Sequence, residues 1–181
     1  NLTQRKLMHS EQPGWYHAEG DPADTKRFWN GLEWEEGLLG GNVILYRILA
    51  RVIDGLIVFT AGRIVSGLLL GEWDLDSVTA SVISFLIAIL YEVGFIAIKG
   101  KTPGKIILRF KVVAITNSNS PPSTSSALSR FDPNLSTLLP VIGFYLGFAI
   151  IGISLYWLTS DANRQSVFDR FGKTYVVRLP R

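Results

Sequence analysis

Three long apolar stretches dominate the pattern of the chain: Val43–Leu70, Val78–Ile98 and Leu135–Leu158. A helix rises 1.5 Å per residue, so about 20 residues cross roughly 30 Å of hydrocarbon, and each stretch is long enough. Three buried core helices would need a polar shell that this chain lacks. The pattern therefore predicts a mainly α, membrane-embedded helical bundle of about three transmembrane segments, over 43–70, 78–98 and 135–158. Residues 1–41 read differently. They hold four basic and seven acidic residues and no apolar run beyond a few positions, which argues against a secretory signal peptide there. Position 1 is Asn, as expected of a chain trimmed or processed at its start. Two short runs rich in Val, Ile and Tyr, Ile107–Ile115 and Thr174–Leu179, read as β-strands near the membrane surface. Residues 117–126 (NSNSPPSTSS) read as a flexible polar linker.

Charge then orients the spans. The turn Gly71–Ser77 carries three acids and no Lys or Arg, whereas the loop 99–134 carries Lys99, Lys101, Lys105, Arg109, Lys111 and Arg130. This bias places the loop and the N-terminus in the cytoplasm and the acidic turn outside. The tail complicates the picture. A third full span would put residues 160–181 outside, although the tail carries Arg164, Arg170, Lys173, Arg178 and Arg181. If the two strands pair, they lie on one side, and the third segment must enter and leave there, broken near Pro140 or at Gly143, Gly147 and Gly152. A simple third span is the reading adopted, with the re-entrant segment as its alternative.

Composition narrows the chemistry. The chain has 181 residues, 18% charged against the roughly 25% usual for soluble domains, and a net charge of +3. That charge is too small to argue for a nucleic-acid partner. There is no cysteine, and the two histidines, His9 and His17, lie in the polar N-terminal stretch. Disulfides and Cys-based metal sites are excluded, and no intramembrane His can ligate haem or copper. No nucleophile–base pair or metal cluster is visible, so neither catalysis, nor a cofactor, nor a metal is expected.

The residues that stand out are charges at membrane depth. Arg47, Arg51 and Asp54 share one helix face at i, i+4 and i+7, and Arg51 and Asp54 can pair at i, i+3. Arg47 and Arg63 can also snorkel from the ends of the first span. Asp54 is short and cannot, so it is expected to be buried and paired. Glu92 is the one acid in the second span. Gly100-Lys101-Thr102 resembles the end of a phosphate-binding loop, but Phe95 stands where that loop needs Gly, and no nucleotide site is expected.

Two resemblances follow. Residues 13–34 (PGWYHAEGDPADTKRFWNGLEW) resemble a short tryptophan-rich module at the N-terminus of many actinobacterial membrane proteins, through Pro13-Gly14-Trp15-Tyr16 and Arg27, Phe28, Trp29, Gly31 and Trp34. Aromatic area stands in for a core in so short a segment. The resemblance implies either a docking module, with Trp15, Tyr16, Phe28, Trp29 and Trp34 as its interaction residues, or a folded cap on the cytoplasmic face. Residues 47–178 resemble the RDD family of small integral membrane proteins. The motifs are Ala50-Arg51-Val52-Ile53-Asp54, Gly100-Lys101-Thr102-Pro103-Gly104-Lys105, and Arg164-Gln165 leading to Asp169 and Thr174-Tyr175-Val176-Val177. Arg51, Asp54 and Asp169 match the family's name residues. The organisation expected is a polar extension over 1–12, the tryptophan-rich module over 13–36, and an RDD-like transmembrane domain over 43–181.

The RDD resemblance implies one of two functions. The reading adopted is a non-catalytic accessory or assembly subunit of a larger complex, such as an actinobacterial respiratory supercomplex, in the bacterial plasma membrane. Its partners would be membrane lipids and other membrane-protein subunits. Arg47, Arg51, Asp54, Glu92 and Asp169 would then pair internally, Arg51 with Asp54 and Asp169 with Arg47 or the basic loop. Trp73 and Trp157 would anchor opposite interfaces. The alternative is a monovalent cation/proton antiporter or other small-solute transporter, acting as a homo-oligomer, with Asp54 and Glu92 binding the ion. Phe168 stands where the family's third motif has His, which removes the natural proton-handling group beside Asp169.

Overall fold

The structure is a computed structural model that describes residues 12–71, 73–74, 77–117, 120–135 and 142–180. The extension before residue 12, Glu72, Asp76 and Pro140 lie outside the described residues. In chain order the elements are β1 (Gly14–Tyr16), β2 (Thr25–Trp29), β3 (Leu38–Gly40), α1 (Ile44–Leu70), α2 (Val78–Lys99), α3 (Pro103–Ile107), β4 (Phe110–Ala114), α4 (Thr124–Leu135), α5 (Ile142–Ser160), α6 (Val167–Phe171) and β5 (Thr174–Arg178).

The first two apolar stretches fold as expected. Helix α1 has 27 residues and α2 has 22, and both are long and apolar enough to cross a membrane. Only 22% and 17% of their most apolar windows are buried within the protein, so their large side chains face outward, as lipid requires and as a soluble core forbids. Leu56, Phe59, Leu68, Val82, Leu86 and Leu90 are among those exposed. Both helices end on a left-handed glycine, Gly71 and Gly100, and Ser77 caps α2 by accepting from the Ala80 N–H at 3.2 Å. The helices meet through small residues. Gly62 on α1 faces Ser84 on α2, into whose side chain a Cβ on Gly62 would run, and Ser66 on α1 and Ala80 on α2 are fully buried. Without a hydrophobic drive between helices in lipid, such close backbone approach supplies the packing energy.

The strands build one five-stranded sheet in the order β1-β2-β3-β5-β4, antiparallel throughout. Its two longest-paired members are the two runs read from the sequence, joined from Phe110↔Arg178 to Ala114↔Thr174. Their alternation buries both faces. Phe110, Val112 and Val176 pack with Val43, Val93, Ile96, Ala127 and Phe131 at the ends of the helices. Val113 and Val177 pack on the other side with Leu39, Trp15 and Tyr175. The tryptophan-rich segment supplies β1 and β2. The Trp15 indole donates to the Ile115 carbonyl at 3.0 Å and meets Phe28 and Tyr175 edge-on. Phe28 and Trp29 are buried, and Tyr16 and Trp34 partly so, with Trp34 tilted against Trp29.

This sheet corrects the expectation for the third stretch. Paired strands lie about 4.8 Å apart, so β3, β4 and β5 share one side of any membrane. The chain must therefore cross an even number of times between Ala114 and Thr174, and a single full span over 135–158 that carries the tail across is ruled out. Instead α4 packs along α2, with Phe131 edge-on to Phe85, and α5 returns to the sheet through α6. Residues 124–126, read as flexible linker, are the first turn of α4. Hydropathy registers the apolar part of this hairpin and misses its amphipathic arm.

Candidate functional site

The chemistry-bearing residues gather where the ends of α1, α2, α4 and α5 meet the sheet. Asp54, on α1, is buried. Its carboxylate accepts from the Tyr91 hydroxyl at 2.7 Å, the Thr102 hydroxyl at 2.5 Å and the Gly104 N–H at 2.8 Å. The Lys105 ammonium stands 3.7 Å away and itself donates to Thr102 at 3.2 Å. The motif Thr102-Pro103-Gly104-Lys105 thus forms the start of α3 and clasps Asp54. Pro103 suits the first helical position, where no N–H is needed. Gly104 is required by proximity, because a Cβ there would strike the Ala50 carbonyl and the Asp54 carboxylate. Burial pushes the Lys105 ammonium down to about 8; Glu92 opposes this, and Arg130 and Arg51 add to it.

Asp169, on α6, is fully buried. It accepts from the guanidinium groups of Arg47 on α1 and Arg130 on α4. It also accepts from the Ser166 N–H at 2.8 Å and the Ser166 hydroxyl at 2.7 Å, completing a capping box. Burial alone would raise its carboxyl; Arg130 and Arg47 outweigh that and hold it well below the usual carboxylate range. Arg130 donates further to Thr174 at 2.9 Å, and Arg47 to the Arg164 carbonyl at 2.7 Å. The Arg47 side chain is held inside rather than snorkelling to water.

The expected Arg51–Asp54 pair is not formed. Arg51 donates to Glu92 at 2.7 Å and to Asn134 at 3.5 Å, and its guanidinium lies 5.3 Å from the Phe168 ring. The reason is helical geometry. Positions 50 and 54 share the face that α3 covers, whereas 47 and 51 point towards α5 and α6, about 60° round the helix. Phe168, at the His position of the family motif, stacks on the arginine instead of carrying a proton. Arg63 donates to the Asp74 carbonyl in the turn between the spans, Trp73 covers Gly67 at that end, and Trp157 at the sheet end is stacked by Arg170 at 4.1 Å. Among the described residues no group of His, Cys, Asp and Glu is placed to hold a metal.

The five charged residues singled out from the sequence therefore lie in one neighbourhood, but Asp54, Glu92 and Asp169 each have a different cation. Sequence reasoning missed Tyr91, Thr102, Lys105 and Asn134 as their partners, and named Arg130 only as one of the basic-loop residues open to Asp169. The Thr-Pro-Gly-Lys motif was the available signal for two of these.

This arrangement joins the first span, the segment after the second and the residues before the last strand. The family model of the RDD family matches residues 43–173, the stretch that holds all of these partners. The chain belongs to the RDD family. No curated protein and no solved structure matches it. For this RDD protein the family membership and the two outward-facing apolar helices make it a membrane protein. Its charged residues then sit at the junction of bundle and sheet.

Proposed function

We propose that this RDD protein is a non-catalytic, multi-pass subunit of a bacterial plasma membrane, with its sheet on the cytoplasmic side, and that it serves as an accessory or assembly component of a larger membrane complex. An actinobacterial respiratory supercomplex is the type of assembly in view. The observation that carries this reading is the state of the carboxylates. Asp54 has three hydrogen-bond donors and a lysine, Glu92 has Arg51, and Asp169 has two arginines and Ser166. Such charges are consumed in holding elements together. The inward-facing aromatics of the N-terminal segment favour the folded cap over the docking module, so a partner would meet the lipid-facing helices or the outer sheet surface.

A second reading has an observation in its favour. A cavity of about 230 Å³ is bounded by Asp54, Tyr91, Glu92 and Thr102 among α1, α2 and α4. A monovalent cation/proton antiporter, working as a homo-oligomer, would use these carboxylates. The deciding experiment is purification from the native membrane in mild detergent, alongside cation-dependent proton flux in proteoliposomes. The accessory reading expects a stoichiometric set of other membrane chains, and no flux that Asp54→Asn abolishes. A protein that purifies alone and shows Asp54-dependent flux overturns it.

A further inference from the structure

A separate cavity, of about 170 Å³, lies between α1, α5 and α6 where the helices meet the sheet. Its lining is divided. Arg47, Arg51, Lys105 and Arg130 face it from the polar side, with Glu92 as the acid among them. Ile151, Leu155 and Leu158 of α5, Ile48 of α1 and Phe168 are among the mostly apolar residues of the remaining wall, which also includes Ser154 and Ser166. Among the described residues the cations are in excess: four of them share three carboxylates, Asp54, Glu92 and Asp169. Arg130 is 5% exposed, and among the described residues its Nε has no hydrogen-bond partner. Arg51, despite its bond to Glu92, keeps 47% of its side chain exposed.

We propose that this cavity binds the phosphate head of an anionic phospholipid, with an acyl chain lying along the apolar faces of α1 and α5. One phosphodiester carries the single negative charge that the cluster lacks, and its oxygens accept hydrogen bonds only, as the arginines require. The depth is right. Arg51 stands about 10 Å from the start of α1 and Leu158 about 3 Å from the end of α5, so the cations lie at headgroup level and Ile151 deeper. The wall of Ile, Leu and Phe disfavours a free, fully hydrated anion and suits hydrocarbon. This inference does not rest on the accessory reading, since a transporter could hold the same lipid.

The test uses the full chain in neutral detergent, incubated with equal amounts of phosphatidylglycerol and phosphatidylcholine and read by native mass spectrometry. The expected result is about tenfold preferential retention of phosphatidylglycerol, a difference of about 1.4 kcal/mol. Leu155→Trp fills the apolar wall without touching the ion pairs, and is expected to cut that retention at least about fivefold with an unchanged melting temperature in phosphatidylcholine alone. Arg51→Gln is expected to reduce the preference for the anionic head. Equal retention of the two lipids overturns the proposal. So does full retention by Leu155→Trp, or displacement of phosphatidylglycerol by millimolar inorganic phosphate, which would mark the site as one for a free anion.

Discussion

Asp54 and Asp169 are both buried carboxylates of one protein, and they are held by opposite means. Asp54 takes its hydrogen bonds from two hydroxyls and a backbone amide, with its nearest cation 3.7 Å away. Asp169 is gripped directly by two arginines. The first is an attachment point that fixes one short turn of chain against a span. The second is a hub whose charge ties α1, α4 and α6 together. The acceptor is a carboxylate in both, so both sets of hydrogen bonds are charge-assisted, but loss of Asp169 also strands two partner charges. The difference teaches that two residues alike by name and burial carry unequal shares of the fold.

The largest effect should come from the hub. Asp169→Ala leaves Arg47 and Arg130 buried and uncompensated, and a loss of about 3–5 kcal/mol is expected in thermal unfolding in detergent. Asp54→Asn should cost less, about 1–3 kcal/mol, because the amide keeps an acceptor for some of the donors while its NH₂ faces another. Equal losses would break the comparison.

Acid and base should separate the sites in the same assay. Asp169 has a depressed carboxyl, so its contribution is present above the ordinary carboxylate value of about 3.9 and is lost as pH falls below it. Lys105 is a base with a lowered value, about 8 in the folded protein. Between about 8 and its unfolded value near 10.4 the unfolded chain holds more protons, so this group makes stability rise with pH. Lys105→Met should flatten that alkaline rise and leave the acid limb unchanged. The smallest effect belongs to the sheet. Trp15→Phe removes the bond to the Ile115 carbonyl and should cost about 1 kcal/mol.

Much of this was legible in the sequence, and the limits have physical causes. The ends of α1 and α2 follow from the apolar stretches to within one residue. The two strand-like runs were readable and do pair, and the options named for Asp169, Arg47 or the basic loop, are both in use. Periodicity, however, reports only neighbours on one helix. It brought Arg51 and Asp54 together at i, i+3, whereas packing sent one to Glu92 on α2 and the other to α3. That choice depends on the close approach allowed by Gly104, which no spacing reveals. The third stretch failed for a related reason. Its hydropathy is that of a span, but the direction of the chain is set by the ladder between Phe110–Ala114 and Thr174–Arg178. Serine-rich α4 gave no apolar signal, although Arg130 and Phe131 on it complete the hub and the core.

The central claim is that the loop after α2 and the C-terminal tail form one polar layer on one side of the membrane. Because the chain has no cysteine, single substitutions can report it cleanly. Ser120→Cys, Pro180→Cys and Asp74→Cys would be expressed in intact cells and exposed to a membrane-impermeant maleimide before and after permeabilisation. The account predicts that positions 120 and 180 are labelled only after permeabilisation and position 74 before it. Labelling of position 180 together with position 74, and apart from position 120, would contradict it.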